Sequence, residues 1–329
     1  MPLRAEDGAA PWQSALWQAV ADAGYPMALL SEDQGGFDLT PLQALGLVRL
    51  AAAQAAPLPL GETMVANWLL AGAGLDPAPG PAGFGSSAHL VRDGAGWRLR
   101  AHLPRLPWGR DLGTLALLGR DEDGAAWMAR LTGGWTLAEG HNLAAEPRDD
   151  LAVDLALEHG ALAPAPISPD MALALGALVR AQAMAGAAEA VLALCVDYAN
   201  MRVQFGRPIG AFQAIQQQLA VMAGEVAATR AGADMAAAAM DTPGLGIAAA
   251  AAKLRAGEAA GRISAIAHQV HGAIGFTREY RLHVLTRRLW AWRDEYGAES
   301  HWADHLGAAV CALGPGGVWP FLTDARGAA

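Results

Sequence analysis

Arg202 and Arg207 stand in the one stretch of the chain, 198–215 (YANMRVQFGRPIGAFQAI), where charge, a turn and a new helix coincide between long apolar segments. Residues up to Met201 read as the end of a helix, and Gly206, Pro208 and Gly210 interrupt the pattern. An apolar face restarts at Phe212, Ile215, Leu219, Met222 and Val226. The result is a helical hairpin with arginines at its tip. Guanidinium groups beside a bend and a helix N-terminus suit a phosphate or pyrophosphate, because fixed positive charge and free backbone N–H groups converge there. The same residues would also serve a solvated loop, and by themselves they favour that plainer role. A second stretch, QVHGAIGF from Gln269 to Phe276, closes a helix with glycines. Glycine permits positive φ and close approach of another backbone, so this stretch is either a plain helix C-cap or a place where a ligand comes near the main chain.

The elements that must hold these groups are mostly helices. The chain has 329 residues, 53% hydrophobic and 17% charged, enough apolar surface for one large core or several small ones. Abundant Ala and Leu favour long helices because they lose little conformational freedom there. A net charge of -9 argues against a nucleic-acid or anionic-membrane partner, since both require a basic face. Cys195 and Cys311 lie in apolar helical segments without the His/Cys spacing of a metal site, and read as buried thiols. No charged-then-apolar leader opens the chain, and no stretch of membrane-spanning length is free of polar residues once the Ala-rich helices are discounted; the expected location is cytoplasmic.

In chain order, Trp12, Leu16, Val20 and Ala23 give a helix face that stops at Gly24. Thr40 as N-cap, Pro41 at the first helical position and Gln43 completing a capping box start a second helix. A third is expected over 61–73. The run LDPAPGPAGFG reads as a linker, with a domain boundary near Asp76. From His89 to Ala161 short runs bounded by turns, with hairpin signals at Asp93-Gly94 and Asp123-Gly124, predict a small antiparallel sheet domain. After Pro169 the pattern is helical to the end: 169–201, 211–240, 245–271, and one or two shorter helices over 281–313, packed as a bundle. The expected fold is mainly α with a small β domain: an N-terminal helical domain (1–76), a reduced middle β domain (77–165) and a C-terminal four-helix bundle (166–329).

The string RVQFGRPIGAFQAIQQQLAVMAGEV, followed by QVHGAIGFTREYRLHVLTRRL, resembles the C-terminal helical domain of the acyl-CoA dehydrogenase flavoenzymes, with two motifs in the right order and at the right interval. The likeness covers about Ser168 to Leu289, and SEDQGG near the N-terminus is similar to an acidic turn of the same family. Helices, small sheet, helical bundle is that family's domain plan, here shortened. The resemblance implies FAD as cofactor, with Arg202, Phe205, Gly206 and Gln213 of the first motif and Gln269, His271, Gly272 and Gly275 of the second as its contacts. Ala273 replaces a usual glycine, and the family's TEP-x-x-GSD stretch over the flavin ring has no counterpart, GPAGFGSS being the nearest material.

The implied reaction removes a proton beside the thioester carbonyl of an acyl-CoA while hydride leaves the next carbon for the flavin, which requires a carboxylate base. The family's late base position falls on Tyr296, one residue after Glu295, and its alternative position falls near Gly176. Asp294, Glu295 and Glu299 are close by, but a one-residue shift turns a side chain roughly 100° about a helix. Retained nucleotide motifs without a base imply a subunit of a heteromer, in which a longer homologue supplies the base, as in members acting on steroid or other bulky acyl-CoA side chains. Glu295 then is a surface or interface charge. Two alternatives are a complete homo-oligomeric enzyme with Glu295 as base, and a scaffold that binds no flavin. Either enzyme reading also needs an electron-transfer acceptor. Trp290, Trp292, Trp302 and Trp319 read as packing or subunit contact.

Overall fold

The computed structural model describes residues 12–94, 96–158 and 160–323. They form two compact units, 12–45 with 57–176 and 46–56 with 177–323.

The first unit begins with α1 (Ser14–Asp22), which ends where Gly24 takes φ +74. The expected capping box starts α2 (Pro41–Ala53): the Thr40 amide donates to Gln43 Oε1 at 3.0 Å and the Gln43 amide to Thr40 Oγ1 at 3.3 Å. Helix α3 (Leu60–Gly72) is buried along nearly its whole length. A seven-stranded sheet follows: β1 (Ala82–Asp93), β2 (Gly96–Pro107), β3 (Thr114–Asp121), β4 (Ala126–Leu131), β5 (Trp135–Ala138), β6 (Arg148–Ala156) and β7 (Leu162–Pro164), in the order β5-β6-β2-β1-β3-β4-β7. Leu90, Leu99, Leu115, Leu117, Leu151 and Val153 alternate inward to make its core.

Two expectations need correction here. The sheet is mixed rather than antiparallel, because β1 and β3 run parallel. Strand β2 occupies one side of β1 and pairs outward with β6, so the chain crosses back through Gly109–Asp111 before β3 enters on the other side of β1. The supposed linker also ends early, and its GFG is strand. A Cβ on Gly83 would come within 2.6 Å of Leu112, and one on Gly85 within 2.6 Å of Leu103. Those glycines make room for leucines beneath the strand; they are not marks of an open chain.

In the second unit, α4 (Ala172–Met201), α5 (Gln213–Ala238) and α6 (Leu245–His271) are long and near the expected bounds, followed by α7 (Leu282–Arg293), α8 (Glu299–Ala312) and α9 (Val318–Thr323). Helix α5 packs along α6, which also carries α7 and α8. Small residues set the spacing: a Cβ on Gly186 of α4 would strike the Arg49 carbonyl on α2. The segment Pro169–Met201 is long and apolar enough to cross a membrane by length and composition, and 67% of its most apolar window is buried in the protein, as in a core helix. Cys195 lies in this core, where burial pushes its thiol up to about 12. Cys311 was expected to be buried and is exposed, on the outer side of α8 near its end.

Candidate functional site

The hairpin between α4 and α5 is built by local backbone chemistry. The Arg202 amide donates to the Tyr198 carbonyl at 2.8 Å, the last turn of α4, and the Ile209 amide donates to the Arg202 carbonyl at 2.8 Å, closing the loop. Between them β8 (Val203–Gln204) pairs with β9 (Arg207–Pro208) across a two-residue turn, Phe205 at φ +50 and Gly206 at φ +78. Two successive positive φ values define a type I′ turn, which matches the twist of a short antiparallel ribbon. The Phe205 side chain is 93% exposed and meets Phe212 edge-on at 6.1 Å. The Arg207 guanidinium lies 4.2 Å over the Phe212 ring. Arg202 is exposed, and among the described residues nothing engages its guanidinium. Directly behind the hairpin, α5 starts without a side-chain cap and without an acidic residue in its first turn, and Gln213 opens it with an exposed side chain. Two uncompensated cations beside an uncapped helix start fit an anionic group.

The second motif lies at the same end of the bundle. Tyr198, one turn before Arg202, stacks on His271 at 4.5 Å with the rings 27° apart. His271 is buried: its Nδ1 is 2.8 Å from the Ala267 carbonyl and its Nε2 3.2 Å from the Tyr280 hydroxyl. Burial pushes its imidazole below the ordinary range. Gln269 is exposed. Gly272, at φ +62, is exposed, and a Cβ there would meet nothing, so this position needs glycine for its backbone conformation alone. Gly275 is buried, and a Cβ would come within 3.0 Å of His271 and 3.2 Å of Leu282. The side chains of Arg202, Phe205, Gln213 and Gln269 thus reach solvent at one end of the bundle, while His271 and Gly275 form the packed floor beneath.

The carboxylate candidate is placed differently. Glu295 is 8% exposed, and Arg180 of α4, 5% exposed, donates from its Nε to Glu295 Oε2 at 2.6 Å. It is therefore not a surface or interface charge as expected: the turn after α7 folds its side chain inward, onto the arginine. The same guanidinium lies 5.4 Å from the Tyr296 ring and 5.9 Å from that of Trp292. Tyr296 has φ +53 and Gly297 φ +93. Lys253, 1% exposed on α6, donates to the carbonyls of Arg293 at 2.6 Å and Gly297 at 2.9 Å. Glu299 accepts from Arg293 Nε at 2.6 Å. Arg180 and Lys253 escaped the sequence reading, although a lone charge inside LALGALVRAQAMAG and another inside AAAAAKLRAG are the kind of signal that marks a buried ion pair. Trp292 and Trp302 are buried, as packing requires, whereas Trp319 is exposed.

Residues 170–297 match the acyl-CoA dehydrogenase C-terminal domain. Over 125 residues the chain is 42% identical to the acyl-CoA dehydrogenase IpdE2 of Mycobacterium tuberculosis, a stretch that covers 37% of this chain and 38% of that protein. The matched stretch therefore spans well under two thirds of its relative. In three dimensions the likeness is wider. The ChsE4-ChsE5 complex from Mycobacterium tuberculosis superposes over 91% of this chain and 88% of its own with a TM-score of 0.81 at 21% identity. The Tcur3481-Tcur3483 steroid ACAD G363A variant covers 91% of this chain and 89% of its own with a TM-score of 0.78 at 24% identity. At these identities the structural likeness establishes the fold: N-terminal helices, a middle sheet and a C-terminal helical bundle.

Proposed function

Because residues 170–297 match the acyl-CoA dehydrogenase C-terminal domain, we propose that the chain is a subunit of an FAD-dependent acyl-CoA dehydrogenase and lends flavin-binding surface to a longer partner that supplies the base. The domain division 1–76, 77–165 and 166–329 belongs to this reading. The observation that carries it is the commitment of Glu295 to Arg180: the nearest carboxylate to the family's base position is buried and hydrogen-bonded to a guanidinium. A carboxylate that must take a substrate proton needs a free lone pair facing that proton and a pKa raised toward working pH. Here Arg180 occupies Glu295 Oε2.

The chain fits the phosphate end of FAD and not the ring end. Arg202, Phe205, Gly206 and Gln213 would meet the cofactor from the hairpin and α5, and Gln269 and Gly272 from the end of α6, with His271 and Gly275 holding that end in shape. Arg202 contributes charge-assisted hydrogen bonding, and the α5 N-terminus adds backbone N–H groups and the positive end of its dipole. For the ring, β1 offers AGFGSSAHL, whose glycines serve the leucines below it. FAD, when bound, supplies the acceptor for the substrate hydride. One structural neighbour is the ChsE4-ChsE5 complex and another a steroid ACAD, which supports a heteromer and a bulky acyl-CoA side chain as substrate. An electron-transfer acceptor completes the cycle.

The test is co-expression. The chain purified alone is expected to carry little flavin, and the chain co-purified with a longer homologue bearing the base is expected to be yellow and active on acyl-CoA. Full flavin occupancy and turnover by the chain alone would replace this reading with the homo-oligomeric enzyme. Absence of flavin from both preparations would leave a scaffold.

A further inference from the structure

We infer that Lys253 is a positioning residue that fixes the 293–297 turn from inside the bundle and so keeps Glu295 committed to Arg180. The turn leaves α7 at Arg293 and reaches α8 at Glu299, and Lys253 Nζ ties its two ends together through the carbonyls of Arg293 (2.6 Å) and Gly297 (2.9 Å). Between those anchors the backbone is in a costly conformation, with Tyr296 at φ +53. Such a conformation persists only where its surroundings over-determine it, and here they do. Trp302 Nε1 donates to the Tyr296 carbonyl at 3.0 Å, and a Cβ on Gly297 would come within 2.6 Å of that same nitrogen.

The face of α6 that receives the turn is prepared by sequence. Gly257, one turn beyond Lys253 and therefore on the same face, lets Glu299 approach so closely that any Cβ there would strike its carboxylate. Glu299 in turn holds Arg293. The charged groups facing the Lys253 ammonium are Glu299 from α8, Arg180 from α4, and Glu295 and Asp294 from the turn itself. Two backbone carbonyls satisfy two of the three ammonium protons, so the lysine acts on the backbone of the turn by hydrogen bonds, and on Arg180 and Glu295 by its charge. The inference does not depend on flavin or on a partner.

A buried ammonium gives this role a readout that simple packing lacks. Burial pushes Lys253 down from 10.5 to about 8. Between those values the unfolded chain holds a proton that the folded chain does not, so folding becomes more favourable as pH rises from about 8. The Cys195 thiol, pushed up from 9.0 to about 12, acts in the opposite sense above pH 9, so the comparison with a variant is what isolates the lysine.

The experiment is equilibrium unfolding of the whole chain from pH 7 to 10, with amide hydrogen exchange of the 293–299 segment, for wild type, Lys253→Met and Lys253→Gln. Relative to Lys253→Met, the wild-type folding constant is expected to rise about tenfold per pH unit above pH 8. Exchange in the turn is expected to be at least about tenfold faster in Lys253→Met, with α5 unchanged. Lys253→Gln keeps two N–H donors without the charge: it should lose the pH dependence yet protect the turn better than Met. If Lys253→Met does not fold, the Gln variant alone decides. Wild-type exchange rates in the turn of whichever variant folds, or a pH slope that survives the substitution, would overturn the inference.

Discussion

At the scale of single residues, the proposal turns on the buried pair of Glu295 and Arg180. Both side chains are withdrawn from water, so each is the other's neutralising partner. Breaking a buried pair from one side leaves an uncompensated charge, typically at a cost of about 3–5 kcal/mol, much more than a surface pair is worth. Glu295→Gln is therefore expected to lower the chain's unfolding free energy by that order, read by denaturant titration. In the assembled complex that survives, turnover on acyl-CoA should change by no more than a few-fold. A loss of about 10² to 10⁴ in rate with intact flavin binding would instead identify Glu295 as the base.

At the scale of elements, the α4–hairpin–α5 unit is the proposed cradle for the cofactor's phosphates. The two-residue turn holds Phe205 and Gly206 in left-handed backbone, and the hairpin delivers Arg202 and Arg207 beside a helix start that carries no competing acid. Arg202→Ala leaves the backbone hydrogen bonds of the hairpin in place, so any loss of flavin it causes would not come through the fold. Removing one charge-assisted hydrogen bond to a pyrophosphate costs about 1.5–3 kcal/mol, or roughly ten- to 150-fold in flavin affinity. Flavin retention after gel filtration of the complex checks this, and unchanged retention would make Arg202 an ordinary solvated side chain. The sequence motif placed this element correctly because turn and cap chemistry are local. It gave no sign that His271, named as a contact, has both ring nitrogens occupied within the chain, since Ala267 is one turn away but Tyr280 lies beyond the next turn.

At the scale of the molecule, buried imidazoles link stability to acid. Desolvation holds His268 and His271 below their ordinary 6.5. Below that value the unfolded chain takes up protons that the folded chain resists, so the stabilisation is whole above pH 6.5 and is lost as pH falls beneath it. The unfolding midpoint is expected to drop between about pH 7 and pH 5, and to drop less in His271→Gln, which removes one of the two groups. An equal drop in that variant would mean that other groups govern acid stability.

The sequence by itself determined the helices of this protein. Their starts and stops are local: the Thr40–Gln43 box, the Gly206 turn and the Gly272 cap follow from neighbours within a few residues. It carried the likeness to the acyl-CoA dehydrogenase C-terminal domain as well, since two motifs in order and interval are a linear property. Only the tertiary structure decided that β3 runs parallel to β1, that Gly83 and Gly85 belong to a strand, and that Glu295 is spent on Arg180, 115 residues away. The physical reason is common to all three. A glycine's role depends on what lies across from it, and a carboxylate's on which charge is folded against it. Neither neighbour is near in the chain, so no local pattern can report them.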